Sequence, residues 1–223
     1  MCAMMVGSVS ESNIGSDAVP PAYPVSFDVQ RQLSSRNRLT VGFRIILAIP
    51  HVVLVGGAII GFGFSWWSTG GAVGTAAGVM AVIAWFGVVF VAVHPRGLWD
   101  FAAFYLRWRS RSVPYLMLLR DEYPPFGEGS YPTSFAVSWP DVPRNRLSVG
   151  LRIFFVIPHL IVLIFLNLAW VVTSIVAWFA ILFTGSYPGG LYDFAVGVMR
   201  WDLRVEAYLL LMRDEYPPFR LAD

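Results

Sequence analysis

The sequence predicts an all-α membrane protein made of two parallel tandem repeats. Each repeat is expected to be a short strand-like segment, a transmembrane helical hairpin and an amphipathic interfacial helix. Three observations carry this. Hydrophobic residues make up 57% of the chain and charged residues 13%, against roughly 25% charged in an ordinary globular chain. No Asp, Glu, Lys or Arg lies between Arg44 and Arg96 or between Arg152 and Asp193. Each gap exceeds the roughly 20 apolar residues that cross a ~30 Å hydrocarbon core, and neither shows the polar stripe of a soluble helix. The third is an internal repeat. From Tyr23 to His51 the chain matches Tyr131 to His159 at 16 of 29 positions, including RNRL and IPH. From Pro95 to Phe126 it matches Pro188 to Phe219 at 19 of 32, and both stretches end in RDEYPPF.

Taken in order, residues 1–22 lack the charged and apolar regions of a secretory signal and are expected to form a disordered tail. Unit one covers residues 23–126, a Gly-Glu-Gly-Ser linker residues 127–130, unit two residues 131–219, and a short end residues 220–223. Tyr23 to Val29 and Tyr131 to Val137 alternate apolar and polar residues, as a strand does. Spans are expected at about 41–64 and 72–94 in unit one, joined by a turn at Ser65 to Gly71 where Trp66 and Trp67 suit the headgroup layer. In unit two they are expected at about 148–167 and 170–186. The offset between the copies falls from 108 to 93 residues, so the second pair needs a tight turn near Asn167. Residues 98–120 and 191–213 carry central charges that hydrocarbon disfavours, and Arg107/Arg111 and Arg200/Arg204 share a helical face. These segments read as amphipathic helices lying on the membrane, the first broken or kinked at Pro114; a soluble helix packed on the unit's own ends is the alternative.

The hairpin tips are uncharged and all the arginines flank the spans. The positive-inside rule then puts both termini in the cytoplasm and the protein in the inner (plasma) membrane, multi-pass. Two crossings per unit make the repeats parallel, related by a two-fold axis along the membrane normal.

The net charge of +2 gives no footing for nucleic acid, and Cys2 is the only cysteine, which excludes an internal disulfide or a cysteine metal cage. Arg44 and His51, like Arg152 and His159, stand seven residues apart on one helix face. They either line a polar intramembrane path or serve structurally, with histidine bonding backbone freed by the preceding proline and arginine snorkelling to headgroups. Asp100 and Asp193, with Arg107 and Arg200, read as structural ion pairs, the acids also being within reach of Arg44 or Arg152. The RDEYPPF ends, Arg120, Asp121, Glu122, Tyr123 and Arg213, Asp214, Glu215, Tyr216, combine a charged triplet with a di-proline stop and are candidate docking motifs. No phosphate cradle, nucleophile elbow or metal-ligand spacing appears. No cofactor, metal or catalytic residue is therefore expected.

The units resemble the bacterial domain of unknown function 4389 family. The resemblance rests on Tyr131-Pro132, Ile157-Pro158-His159, the segment Phe183 to Phe194 and the end Tyr216 to Phe219, with unit one matching more loosely. It spans about residues 23–219 and implies a multi-spanning membrane protein without implying an activity. The functional expectation is a non-enzymatic scaffold or accessory subunit presenting Arg-rich helices to anionic lipids, a membrane-protein partner or a second copy. The alternative is a small transporter or channel component using the paired Arg and His residues.

Overall fold

The computed structural model describes residues 23–57, 70–91, 93–140 and 144–222. The expected tail and the Trp66–Trp67 turn lie outside the described residues. Unit one comprises β1 (Val25–Val29), α1 (Arg38–Gly42), α2 (Arg44–Val55), α3 (Gly71–Phe86) continued by a π-helical turn (Gly87–Val91), and α4 (Arg96–Leu116). Unit two comprises β2 (Thr133–Val137), α5 (Arg146–Thr184) and α6 (Gly189–Leu209). The fold is mostly helical, with one two-stranded sheet among the described residues. By length and composition, Gly71–Val91 and Arg146–Thr184 could each cross a membrane.

The turn expected near Asn167 is absent, because α5 runs unbroken for 39 residues, about 58 Å at helical rise. Between Pro158 and Gly185 no glycine or proline interrupts it. Asn167 stays helical because its amide donates to the Leu163 carbonyl at 3.0 Å and to Asp202 at 3.0 Å. The polar residue taken as a turn signal is thus spent on an internal bond.

Unit one follows the same line with an insertion in its sequence. Alignment sets Val55 opposite Leu163 and Gly71 opposite Ile164, so residues 56–70 intervene between two consecutive positions of α5. Helix α3 restarts where α2 stops. A Cβ on Gly71, whose φ is +65°, would sit 2.5 Å from the Leu54 carbonyl carbon, so only glycine fits there. Further along, α4 meets α2 and then α3 in order: Tyr115 contacts Arg44, Trp108 contacts His51, Arg109 contacts Val55 and Tyr105 abuts Gly74. The two helices of unit one therefore form one interrupted rod, where the sequence predicted a hairpin.

The two rods run antiparallel. Trp178 near the end of α5 donates to the Val41 carbonyl, and its counterpart Trp85 donates to that of Val149, each at 3.0 Å. These matching bonds define a pseudo-two-fold axis. The sheet obeys it too, since β1 and β2 pair antiparallel with Phe27 opposite its repeat partner Phe135. Three layers stack along the axis: the ribbon, then α4 and α6, then the rods. Val25, Phe27 and Val29 point inward while Ser26 and Asp28 face out, following strand alternation. Helices α4 and α6 are consequently buried between ribbon and rods and do not lie on an outer surface. Pro114 does not shorten α4, which ends at the position matching the end of α6; Pro114 sits in the last turn of the helix.

If residues 56–70 are inserted in sequence between two halves of one rod, deleting them joins Val55 to Gly71 in helical register. The shortened protein is expected to keep its helical circular dichroism and melt within a few degrees of the parent. A cooperative unfolding transition that disappears would contradict collinearity.

Candidate functional site

Both units close through one arrangement at the C-terminal end of the middle-layer helix. A helix leaves its last carbonyls without intrahelical donors. At the end of α4 the chain turns through Leu118, held at φ +66°. Leu119 N–H bonds the Pro114 carbonyl and Leu118 N–H that of Tyr115, a Schellman pattern with leucine in the place glycine usually takes. Two buried guanidiniums cap what remains. Arg44 donates to the carbonyls of Tyr115 at 3.2 Å and Arg120 at 2.7 Å, and Arg36 to those of Leu118 and Leu119. Both also reach Asp121 Oδ1, at 2.8 and 2.9 Å. The other Asp121 oxygen accepts from the Asn37 N–H, and Asn37 itself caps the rod through Leu39 and Thr40 N–H.

Unit two repeats the set. Arg152 donates to the Tyr208 carbonyl and, at 2.6 Å, to Asp214, while Arg144 pairs with Asp214 and with the Leu211 carbonyl. Leu211 sits at φ +59°, and Asn145 caps α5. Each guanidinium also lies over a ring, Arg44 on Tyr115 at 4.0 Å and Arg152 on Tyr208 at 4.2 Å, a cation–π contact strengthened by exclusion of water.

The rest of each motif folds over the histidine. The Trp108 indole donates to His51 Nδ1 at 3.1 Å, and Phe126 stacks on the ring at 4.5 Å. Trp201 and Phe219 do the same for His159, at 3.0 and 3.9 Å. An Nδ1 that accepts leaves the ring proton on Nε2. Arg120 and Arg213 fork onto Glu122 and Glu215 and tie to the carbonyls of Gln30 and Ser138. The strand-end tyrosines cross between units: Tyr131 donates to the Glu122 carbonyl and Tyr23 to that of Glu215.

Arg44 with His51, and Arg152 with His159, do share one rod face. That face is turned to the same unit's α4 or α6, so each histidine is enclosed in its own unit and the structure does not bring the two pairs together. Asp100 and Asp193 do not meet Arg44 or Arg152; they pair with Arg96 and Arg31, while Arg107 and Arg200 pair with Glu128 and Asp28. These ion pairs are largely exposed and contribute little to stability. The RDEYPPF ends, read as docking motifs, are occupied by the chain's own rods and strands.

A cluster that the sequence reading missed lies where α4 and α6 cross. Arg109 pairs with Glu206 at 2.8 Å, and Tyr105 donates to the same carboxylate at 2.8 Å. Asp202 accepts from Asn167 and feels the charge of Arg109. Burial holds the Asp202 carboxyl well above the usual carboxylate range, outweighing the Asn167 bond and Arg109. Arg109 and Asp202 are matching repeat positions. On a two-fold axis matching residues meet each other, so like charges there would repel; the copies differ where identity is least tolerable. Among the described residues no three His, Cys, Asp or Glu side chains gather as a metal site would require.

A family model described as "Domain of unknown function (DUF4389)" matches residues 62–127 and 146–220. No curated protein and no solved structure matches the chain.

Removing the shared carboxylate leaves two buried cations uncompensated, a loss of about 3–5 kcal/mol. Asp121→Asn is therefore expected to lower stability by that amount in denaturant unfolding, and Asp214→Asn comparably. Glu122→Gln, at a half-exposed carboxylate, is expected to cost no more than about 1 kcal/mol. Equal effects of Asp121→Asn and Glu122→Gln would contradict the clasp.

Proposed function

We propose that this chain, which belongs to the family whose model matches both of its units, is a non-enzymatic membrane scaffold lying flat in one leaflet. The outer face of the rods sits in hydrocarbon and the ribbon in water. The observation that carries this reading is the row of large apolar side chains exposed along the whole of both rods, among them Ile45 at 74%, Phe154 at 67%, Phe165 at 67% and Phe183 at 78%. Such a patch far exceeds what soluble monomers expose.

A flat pose follows from the layers. Standing the rods along the membrane normal would bring the ribbon, midway between their ends, to the bilayer centre. There its open strand edges and the exposed Asp28 would face lipid, where unpaired backbone and charge each cost several kcal/mol. A rod of about 58 Å also overreaches a core of about 30 Å. Laid flat, the rods bury one face as interfacial helices do, and both units meet the membrane from the same side. With arginine favouring the cytoplasmic face, that side is the inner surface of the plasma membrane.

The buried arginines of the middle layer serve the interior. Contact with anionic lipid then falls to exposed Arg38, Arg96 and Arg146, and the surface offered to a partner protein is the ribbon with its acidic straps. The non-enzymatic reading is supported by the pairing inside each cluster: the clasp guanidiniums are held by Asp121 and Asp214, each histidine Nδ1 by a tryptophan, and Arg109 by Glu206.

Single cysteines introduced in a Cys2→Ala background at Asn37, Asn145 and Ser134 test the pose in sealed vesicles. An impermeant maleimide is expected to label all three from one side, while Phe165→Cys reacts only with a lipid-soluble reagent. Labelling of Asn37 and Asn145 positions from opposite sides would establish rods that cross, and with them the multi-pass and transport readings.

A further inference from the structure

Two grooves open on the apolar face, related by the same pseudo-two-fold axis. The larger, of about 630 Å³, lies between α2 and the end of α5, with walls that include Ile45, Ile49, Ile175 and Phe179. Its counterpart, of about 280 Å³, lies between α3 and the start of α5, walled by Val82, Phe86 and Ile153. Their floors are the helix ends at Leu116–Leu118 and Leu209–Leu211. The larger falls within the roughly 300–1,000 Å³ in which proteins hold small organic ligands.

Each groove runs toward a rod end that carries an arginine. Arg38 lies against Gly185, about 10 Å along the helix from Ile45. Arg146 holds the matching place, seven residues before Ile153. Both are exposed, and no described carboxylate pairs with either. Arg146 moreover opens α5, where the helix dipole disfavours a cation. Behind each groove the clasp adds a surplus of positive charge, two guanidiniums to one carboxylate. An apolar slot open to lipid, ending at an exposed cation that no described carboxylate pairs, is complementary to an anionic phospholipid.

We propose that each groove holds one acyl chain of an anionic bilayer phospholipid, whose phosphate is met by Arg38 at the larger groove and Arg146 at the smaller. The assignment rests on the membrane-embedded reading. The hydrocarbon chain fills the space between the rods, and the glycerol and phosphate emerge at the rod end, level with the headgroup layer. The larger groove retains its lipid more firmly because it encloses more of the chain.

Full-length protein in mild detergent, exposed to equal phosphatidylglycerol and phosphatidylcholine and examined by native mass spectrometry, tests this. Retention of one or two phospholipids is expected, with phosphatidylglycerol favoured about fivefold per arginine. Ile49→Trp, which fills the larger groove from one wall, and Ile175→Trp, from the other, are each expected to lose the more firmly held lipid. Arg38→Glu is expected to keep the lipid count and lose the preference at the larger groove, and Arg38→Glu combined with Arg146→Glu to abolish it. Unchanged retention in both tryptophan variants, or an unchanged preference in Arg38→Glu combined with Arg146→Glu, overturns the proposal. Flotation with vesicles separates the two readings. A protein that floats yet retains no phospholipid overturns the grooves alone, and one that does not float overturns the embedding as well.

Discussion

Each unit is held shut by two guanidiniums that share one carboxylate at the end of a helix. Arg36 and Arg44 sit beneath the α4 terminus, where carbonyls lack donors and the helix dipole is negative. Asp121 alone would leave a surplus of buried positive charge; the four carbonyls and the tyrosine face disperse it. Breaking this arrangement leaves polar groups on both sides without partners, which is why the leucine at the turn is kept in a left-handed conformation that costs on the order of 1–3 kcal/mol. Everything downstream inherits its position from this clasp: the di-proline strap, the histidine beneath it and the tyrosine hook from the other unit.

With α4 and α6 fixed against the rods, the rods have one face covered and one bare. The ribbon covers the far side of α4 and α6, and its own outer face is polar. A plate with one apolar and one polar side results, and the pseudo-two-fold axis ensures that both copies present the same side. That symmetry also explains the axial cluster. Where matching residues would confront each other, Arg109 meets an acid, Asp202, in place of a second arginine; burial raises the Asp202 carboxyl, and the charge partner of Arg109 is Glu206, which stands where unit one has Val113.

Much of this was legible in the sequence. The repeat, the alternating strands, the apolar stretches and the shared face of Arg44 with His51 all follow from spacing. The hairpins did not hold, because charge-free length does not distinguish two short helices from one long one. Asn167 looked like a turn residue, yet its partner Asp202 lies 35 residues away in sequence. Of the arginines at four-residue spacing, Arg107 and Arg200 keep exposed partners, whereas Arg111 and Arg204 proved buried, because the chain that follows each helix returns to give them the carbonyls of Gly129 and of Arg220 and Ala222. RDEYPPF was conspicuous, but whether it faces outward or inward depends on Arg36 and Arg144, residues that the RNRL block contains and that the periodicity of the apolar run does not single out. The axial cluster could have been found by asking where the copies disagree in charge within an otherwise matching segment.

The plate depends on an unbroken α5, and one distance measures it. Spin labels on Leu147 and Phe183, both exposed and 36 residues apart, should be separated by about 54 Å in a continuous helix. Pulsed dipolar spectroscopy on the reconstituted protein is predicted to return a single distribution centred near that value. A separation near 20 Å or below would mean that the chain turns back at Asn167, and the plate, its axis and its flat embedding would all be wrong.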